Sequence, residues 1–293
     1  MKKIIIIGLL ILSFTNCQKK GVNIANDNHS KKEIDMEKTP VYTIKISAAN
    51  PYEVLVNDMP FEKDYNNGSS TVELPINDLI LRSGKQIIKI KILPNSGGNT
   101  VDQSGLNYFN LKVLQYTSVS SIGSNGKLIK EITLKDQKEL PIVTIEKIVN
   151  LEVPYNVQGW SKSQDLAKED KTVLKNEVLS KYQELKNVLN KGDLKSFLSE
   201  NKIRDKEVHS AFYNDKEMKN EDEDYMKNRV KKSANHMAEI KDFQMKFYGN
   251  GKVVSLERND GNSALFADDS NNLFYYAILL HRPKPGSPLE IIR

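Results

Sequence analysis

Between Gln86 and Leu93 apolar and charged residues alternate: Ile88, Ile90 and Ile92 fall on one side of an extended chain, Lys89 and Lys91 on the other. A period of two is that of a half-buried β-strand; a helix would scatter the same residues around its circumference. From about Lys168 the period changes. Val173, Leu174, Val178, Tyr182, Leu185, Val188 and Leu189 recur mostly at steps of three and four, which aligns them along one face of a helix. The chain therefore divides into a β-patterned part and a part led by helices.

The β pattern runs from Pro40 to Pro154. VYTIKIS, YEVLV, STVELPI, KQIIKIKIL, YFNLKVLQY, KLIKEITL and PIVTIEKIVNLEV are rich in Val, Ile, Tyr and Thr. Turn residues separate them, among them Asn66-Asn67-Gly68, Ser83-Gly84, Asn95 to Asn99 and Asn125-Gly126. About seven strands of this kind predict two packed antiparallel sheets, an immunoglobulin-like β-sandwich over residues 40–157. Lys89 and Lys91, with Lys127 and Lys130, read as the solvated face of strands; the other reading is a positive groove for an acidic ligand.

Residues 158–170, within QGWSKSQDLAKED, read as a polar linker, followed by an α+β region over 171–293. Lys191-Gly192 ends the first helix, and Asp193 caps a shorter one carrying Leu194, Phe197 and Leu198. A third helical region, from Asp215 to about Met237, holds the acidic run Glu221 to Asp224. These four point in different directions on a helix and no calcium-type loop follows, so they read as a solvated surface. Asn250-Gly251 is a two-residue hairpin signal, and SALFA, LFYYAILLH and LEIIR are further strands. Helices followed by antiparallel strands predict helices packed on one face of a curved sheet.

Lys2 and Lys3, the apolar run Ile4 to Leu12 and then Cys17 follow the order of an export signal. The run is about half of what a membrane-spanning helix needs. The stretch resembles a bacterial lipobox, which implies a signal peptide over residues 1–16, cleavage before Cys17 and acylation of that cysteine; the other reading is an idle thiol in a signal peptide. Gln18, rather than Asp, after the cysteine points to the outer membrane of the bacterial cell envelope. Residues 17–39 lack any period and read as a flexible tether. Removing the signal takes the formal charge from +5 to +3, since Lys2 and Lys3 leave with it. Acidic and basic residues are intermixed, so nucleic acid is not an expected partner. With one cysteine there is no internal disulfide to form.

PYEVLVNDMP and LPINDLILRSGKQIIKIKILP resemble the immunoglobulin-like region of certain bacterial lipoproteins. FYGNGKVVSLER and FYYAILLHRPKPGSPLEIIR resemble their C-terminal part, similar in element order to the cone-shaped fold of nuclear transport factor 2. Some such lipoproteins resemble immunity proteins against interbacterial toxins, which implies a protein partner.

No Gly-x-Ser-x-Gly elbow, His-Glu-x-x-His helix or paired-cysteine signature occurs, so neither catalytic residues, nor a metal, nor a cofactor is expected. A cone fold carries a pocket, for which Tyr182, Tyr213, Tyr225, His236, Tyr248, Tyr275, Tyr276 and His281 are candidate lining residues; the alternative is that they pack as core. His281-Arg282-Pro283-Lys284-Pro285-Gly286-Ser287-Pro288 is the most distinctive local feature. Its prolines stiffen a connection between strands, and His281, Arg282 and Lys284 together form a candidate recognition loop; the other reading is a stiff turn that sets strand register. Binding candidates are thus His281, Arg282, Lys284, Tyr276, Tyr248 and His236, and Cys17 is the lipidation candidate. The function expected is that of a membrane-anchored, non-enzymatic binding protein. The alternatives are an enzyme or small-ligand binder using the cone pocket, or a structural envelope lipoprotein.

Overall fold

Ile88, Ile90 and Ile92 are all but fully buried, as the alternation predicts. They belong to a computed structural model that describes residues 39–270 and 272–293, with the backbone of Lys3–Ile5. Cys17, the tether to residue 38 and the rest of the signal stretch lie outside the described residues. Lys3–Ile5 (β1) runs parallel to a C-terminal strand named below.

Eight strands follow: β2 (Val41–Ala48), β3 (Tyr52–Val56), β4 (Met59–Asp64), β5 (Ser70–Pro75), β6 (Gly84–Ile92), β7 (Asn110–Tyr116), β8 (Lys127–Thr133) and β9 (Val143–Leu151). A short helix, α1 (Gln103–Tyr108), crosses from β6 to β7. The strands form two four-stranded antiparallel sheets, ordered β5-β2-β7-β8 and β4-β3-β6-β9. Alternate residues of both sheets, such as Ile44 and Ile46 facing Val54 and Ile90, fill one shared core. The edge strand β9 places Lys147 opposite Ile88, on the inward-facing row, where a charge discourages pairing with another chain.

β3 and β4 are joined by Asn57-Asp58, both at positive φ (53° and 60°). This is the two-residue turn whose twist matches antiparallel strands.

Three helices come next, α2 (Lys171–Asn190), α3 (Leu194–Ala211) and α4 (Lys216–Ser233). Asp170, Asp193 and Asp215 cap them by accepting bonds from first-turn amides. α2 stops where Gly192 takes a φ of +68°. At 18 residues α3 is nearly as long as α2, at 20.

The C-terminal strands are β10 (Phe243–Tyr248), β11 (Val253–Arg258), β12 (Phe266–Asp268), β13 (Asn272–Tyr275), β14 (Leu280–His281) and β15 (Glu290–Ile291). They form a sheet ordered β10-β11-β14-β15 and the β12–β13 hairpin, whose outer strand β13 is the partner of β1. The loop between β10 and β11 is four residues long rather than two, with Gly249, Asn250 and Gly251 all at positive φ. The architecture is α+β with mostly antiparallel sheets.

The halves share a core. Trp160, Tyr248, Val253, Leu279 and Ile292 pack in the same cluster as the sandwich interior. Polar contacts reinforce it: Arg293 donates to Asp78 O (2.9 Å) and to Glu207 (2.9 Å), and Asn77 to Ala211 O (3.1 Å). Residues 158–170, expected to be a polar linker, are instead held between the halves. Trp160 and Leu166 are buried, Gly159 N donates to Glu207, and Gln164 N to Arg282 O. The apolar Trp160 and Leu166 outweigh the polar composition around them.

Candidate binding cleft

The turn Asn57-Asp58 holds three pieces of chain at the junction. Asn57 donates through Nδ2 to Leu79 O (2.8 Å) and to Gln86 Oε1 (2.7 Å), and its Oδ1 accepts from Ile87 N (3.0 Å). Gln86 in turn donates to the carbonyls of Arg82 (3.0 Å) and Gly84 (3.1 Å), bracing the turn that carries Arg82 and Lys85. Asp58 reaches across to the β10–β11 loop, its carbonyl accepting from Gly249 N (2.9 Å) and its carboxylate from Asn250 N (2.7 Å). Trp160 packs so closely on Gly249 that a Cβ there would lie 2.7 Å from its ring. Between these pieces opens a cleft of about 660 Å³, floored by Leu81, Ile87 and Trp160.

Four cations line it: Arg82, Lys85, Lys89 and Lys252. Its two acids are engaged, Asp58 by Asn250 N and Glu146 by Lys89, the latter only at 3.7 Å and exposed, so that pair is weak. Lys252 donates to Ser161 O (2.6 Å). Arg82 and Lys85 are exposed and have no acidic partner among the described residues. Ile87 is 43% exposed beside them, and its cross-strand neighbour Ile148 is 57% exposed. The arrangement offers positive charge on both sides of an apolar strip.

The residues expected to form a recognition loop are placed otherwise. Arg282 is buried and gripped by Glu169 (3.0 Å from both Nε and Nη2) and Glu177 (2.6 Å), with a further bond to Ser287 O. Its fork matches the carboxylates of Glu169, just ahead of α2, and Glu177, on its second turn, which hold the guanidinium proton more firmly still. His281 is also buried, its Nδ1 2.6 Å from Ser163 Oγ, and burial lowers its pKa to about 4. Only Lys284 is exposed. The prolines lie in a turn whose two other basic side chains point into the protein, so His281, Arg282 and Lys284 are not presented together on a loop.

Tyr276 packs under α4, bonded to Ser233 (2.7 Å) with Arg229 over its ring. His236 is exposed beyond α4. Tyr248 lies at the junction, donating to Glu257 (2.6 Å), while Lys63 donates to both Tyr248 (2.6 Å) and Glu257 (2.5 Å). Burial and Glu257 push the Tyr248 hydroxyl pKa far up. The six candidates are not brought into one site. Between helices and sheet, where a cone fold would have its pocket, Leu174, Tyr182, Phe197, Leu256, Phe274 and Leu280 pack together as core. The acidic run Glu221 to Asp224 is exposed on α4.

Sequence reasoning considered Lys89 and passed over Arg82, Lys85 and Lys252. Only Lys85 shares the lysine alternation of β6; Arg82 and Lys252 join through the fold. Searches against protein families, curated proteins and solved structures return no match to this chain.

Proposed function

We propose that the chain is a lipid-anchored, non-enzymatic binding protein of the bacterial envelope, fixed through Cys17, whose partner is a protein. In its most concrete form it gives immunity against an interbacterial toxin. The proposal includes the finer fold reading: an immunoglobulin-like sandwich, supported by two stacked four-stranded sheets, and a nuclear-transport-factor-2-like part, supported by three helices leading into antiparallel strands.

The observation that carries the binding reading is the junction cleft. It is built from both halves of the chain, braced by Asn57 and Gln86, and rimmed by cations of which Arg82 and Lys85 have no acidic partner among the described residues. Braced groups lose little entropy on binding, which favours recognition.

The test is purification of the full acylated chain from its native envelope. A protein recovered at stoichiometric ratio, and sensitivity of a deletion strain to sister cells, are expected; unimpaired survival of that strain would remove the immunity reading. Cys17→Ser should release the chain into soluble fractions and abolish lipid labelling, because among the described residues no helix is long and apolar enough to cross a membrane. Retention in the membrane would contradict the anchor.

A further inference from the structure

The outward row of β6 reads Lys85, Ile87, Lys89: cation, apolar, cation, at successive same-face positions. Same-face residues on a strand stand about 7 Å apart, so the two cations are separated by about 13 Å with an aliphatic side chain midway. One carboxylate or phosphate can meet only one of them. An extended polypeptide has the same two-residue repeat and can meet all three at once. Arg82 extends the positive charge at one end of the row, and Lys252 adds to it from the β10–β11 loop.

We propose that the cleft binds an extended acidic segment of a protein partner, with acidic side chains at positions i and i+4 and an aliphatic one at i+2. This rests on the reading of the chain as a binding protein and names the chemistry of its site. A nucleic acid fits less well, because single strands are held by bases stacked on exposed aromatic faces, and Trp160 is only 4% exposed. The cleft instead presents exposed isoleucine at its centre, which suits an aliphatic side chain.

Titration calorimetry reads occupancy of the cleft; the chain's one tryptophan, Trp160, lines it but is nearly buried, so its emission serves only as a second reading. The probe is a synthetic peptide repeating Glu-Gly-Leu-Gly-Glu, with a Gln-for-Glu version, a Ser-for-Leu version, a single-stranded oligothymidylate and phosphatidylglycerol vesicles as comparisons. The acidic-aliphatic peptide should bind at least about tenfold tighter than either altered peptide, and the binding should weaken as salt is raised. Arg82→Glu with Lys85→Glu should weaken it about tenfold or more with an unchanged melting temperature. Lys127→Glu with Lys130→Glu, both exposed on the strand β8 of the other sheet, should leave it intact.

Equal binding by the Arg82/Lys85 variant, failure of the acidic peptide to bind at millimolar concentration, or tighter binding of oligothymidylate or vesicles would overturn the proposal. If the envelope partner is captured equally by wild type and by the Arg82/Lys85 variant, the cleft assignment falls while the binding-protein reading stands. If no partner is captured but the peptide binds as described, the reverse holds.

Discussion

Lys63→Met tests whether the two halves are locked by their buried ion pair. Lys63 Nζ lies 2.5 Å from Glu257 Oε2 and 2.6 Å from the Tyr248 hydroxyl, and the two charged side chains are only 13% and 8% exposed. The pair joins residues 194 positions apart, one in the sandwich and one in the C-terminal sheet. Removing the ammonium leaves a buried carboxylate whose remaining side-chain partner is Tyr248. Breaking a buried pair in this way costs about 3–5 kcal/mol. At about 2–4 °C per kcal/mol for a chain of this size, the melting temperature should fall by about 6–20 °C. Glu257→Gln leaves Lys63 near Glu53, whose charge it already feels, and should cost less. The double variant should lose less than the two single losses added, by about 0.5–3 kcal/mol, because neither charge is then stranded. Calorimetry on the four proteins measures all of this. A fall of less than about 2 °C for Lys63→Met, or strict additivity in the double variant, would refute the reasoning.

Glu62 and His281 should give stability opposite pH slopes. Burial, with Asp64 beside it, raises the Glu62 pKa to about 7, so the folded state binds this proton more tightly than the unfolded one. Its contribution is present below about pH 4.5 and lost as pH rises through 7; Glu62→Gln should therefore stabilise by about 1–3 kcal/mol at pH 8 and not at pH 4. His281, lowered to about 4 by burial, supports the fold above pH 6.5 and loses that support as pH falls toward 4. Melting temperature against pH for Glu62→Gln and for His281→Asn, each beside wild type, checks the two signs, and a gain from Glu62→Gln confined to acid pH would reverse the first. Limited proteolysis should spare residues 158–170 and leave one resistant core, since Trp160 and Leu166 are buried there. Early cleavage between Gln158 and Asp170 into two stable fragments would contradict the shared core.

Local pattern made much of the fold legible. Ile88, Ile90 and Ile92 face inward, and Leu174, Val178, Tyr182, Leu185 and Leu189 are fully buried; Val173, counted in the same stripe, is 57% exposed because it sits one step round the helix from Leu174. Asp193 caps α3 as its type and place predict. The site was less legible because its parts meet only through distant contacts. Arg282 reads locally as a presented cation, yet the carboxylates that hold it lie 113 and 105 positions earlier. The cleft draws on residues near 57, 82–89, 160 and 249–252, and no local period links them. Asn57-Asp58 is not among the turns that the sequence marks, and its second task, holding the β10–β11 loop, belongs to tertiary structure.

The contacts that lock the halves together span most of the chain: Lys63 to Glu257 over 194 positions, Asn250 to Asp58 over 192, Arg293 to Asp78 over 215. Contacts between such distant residues form slowly, because the intervening chain must first be brought to order. If the chain is exported, as the proposed function requires, this delay would be useful. A polypeptide that locks late stays loose long enough to be threaded across a membrane, and it gains its full resistance to unfolding only on the far side.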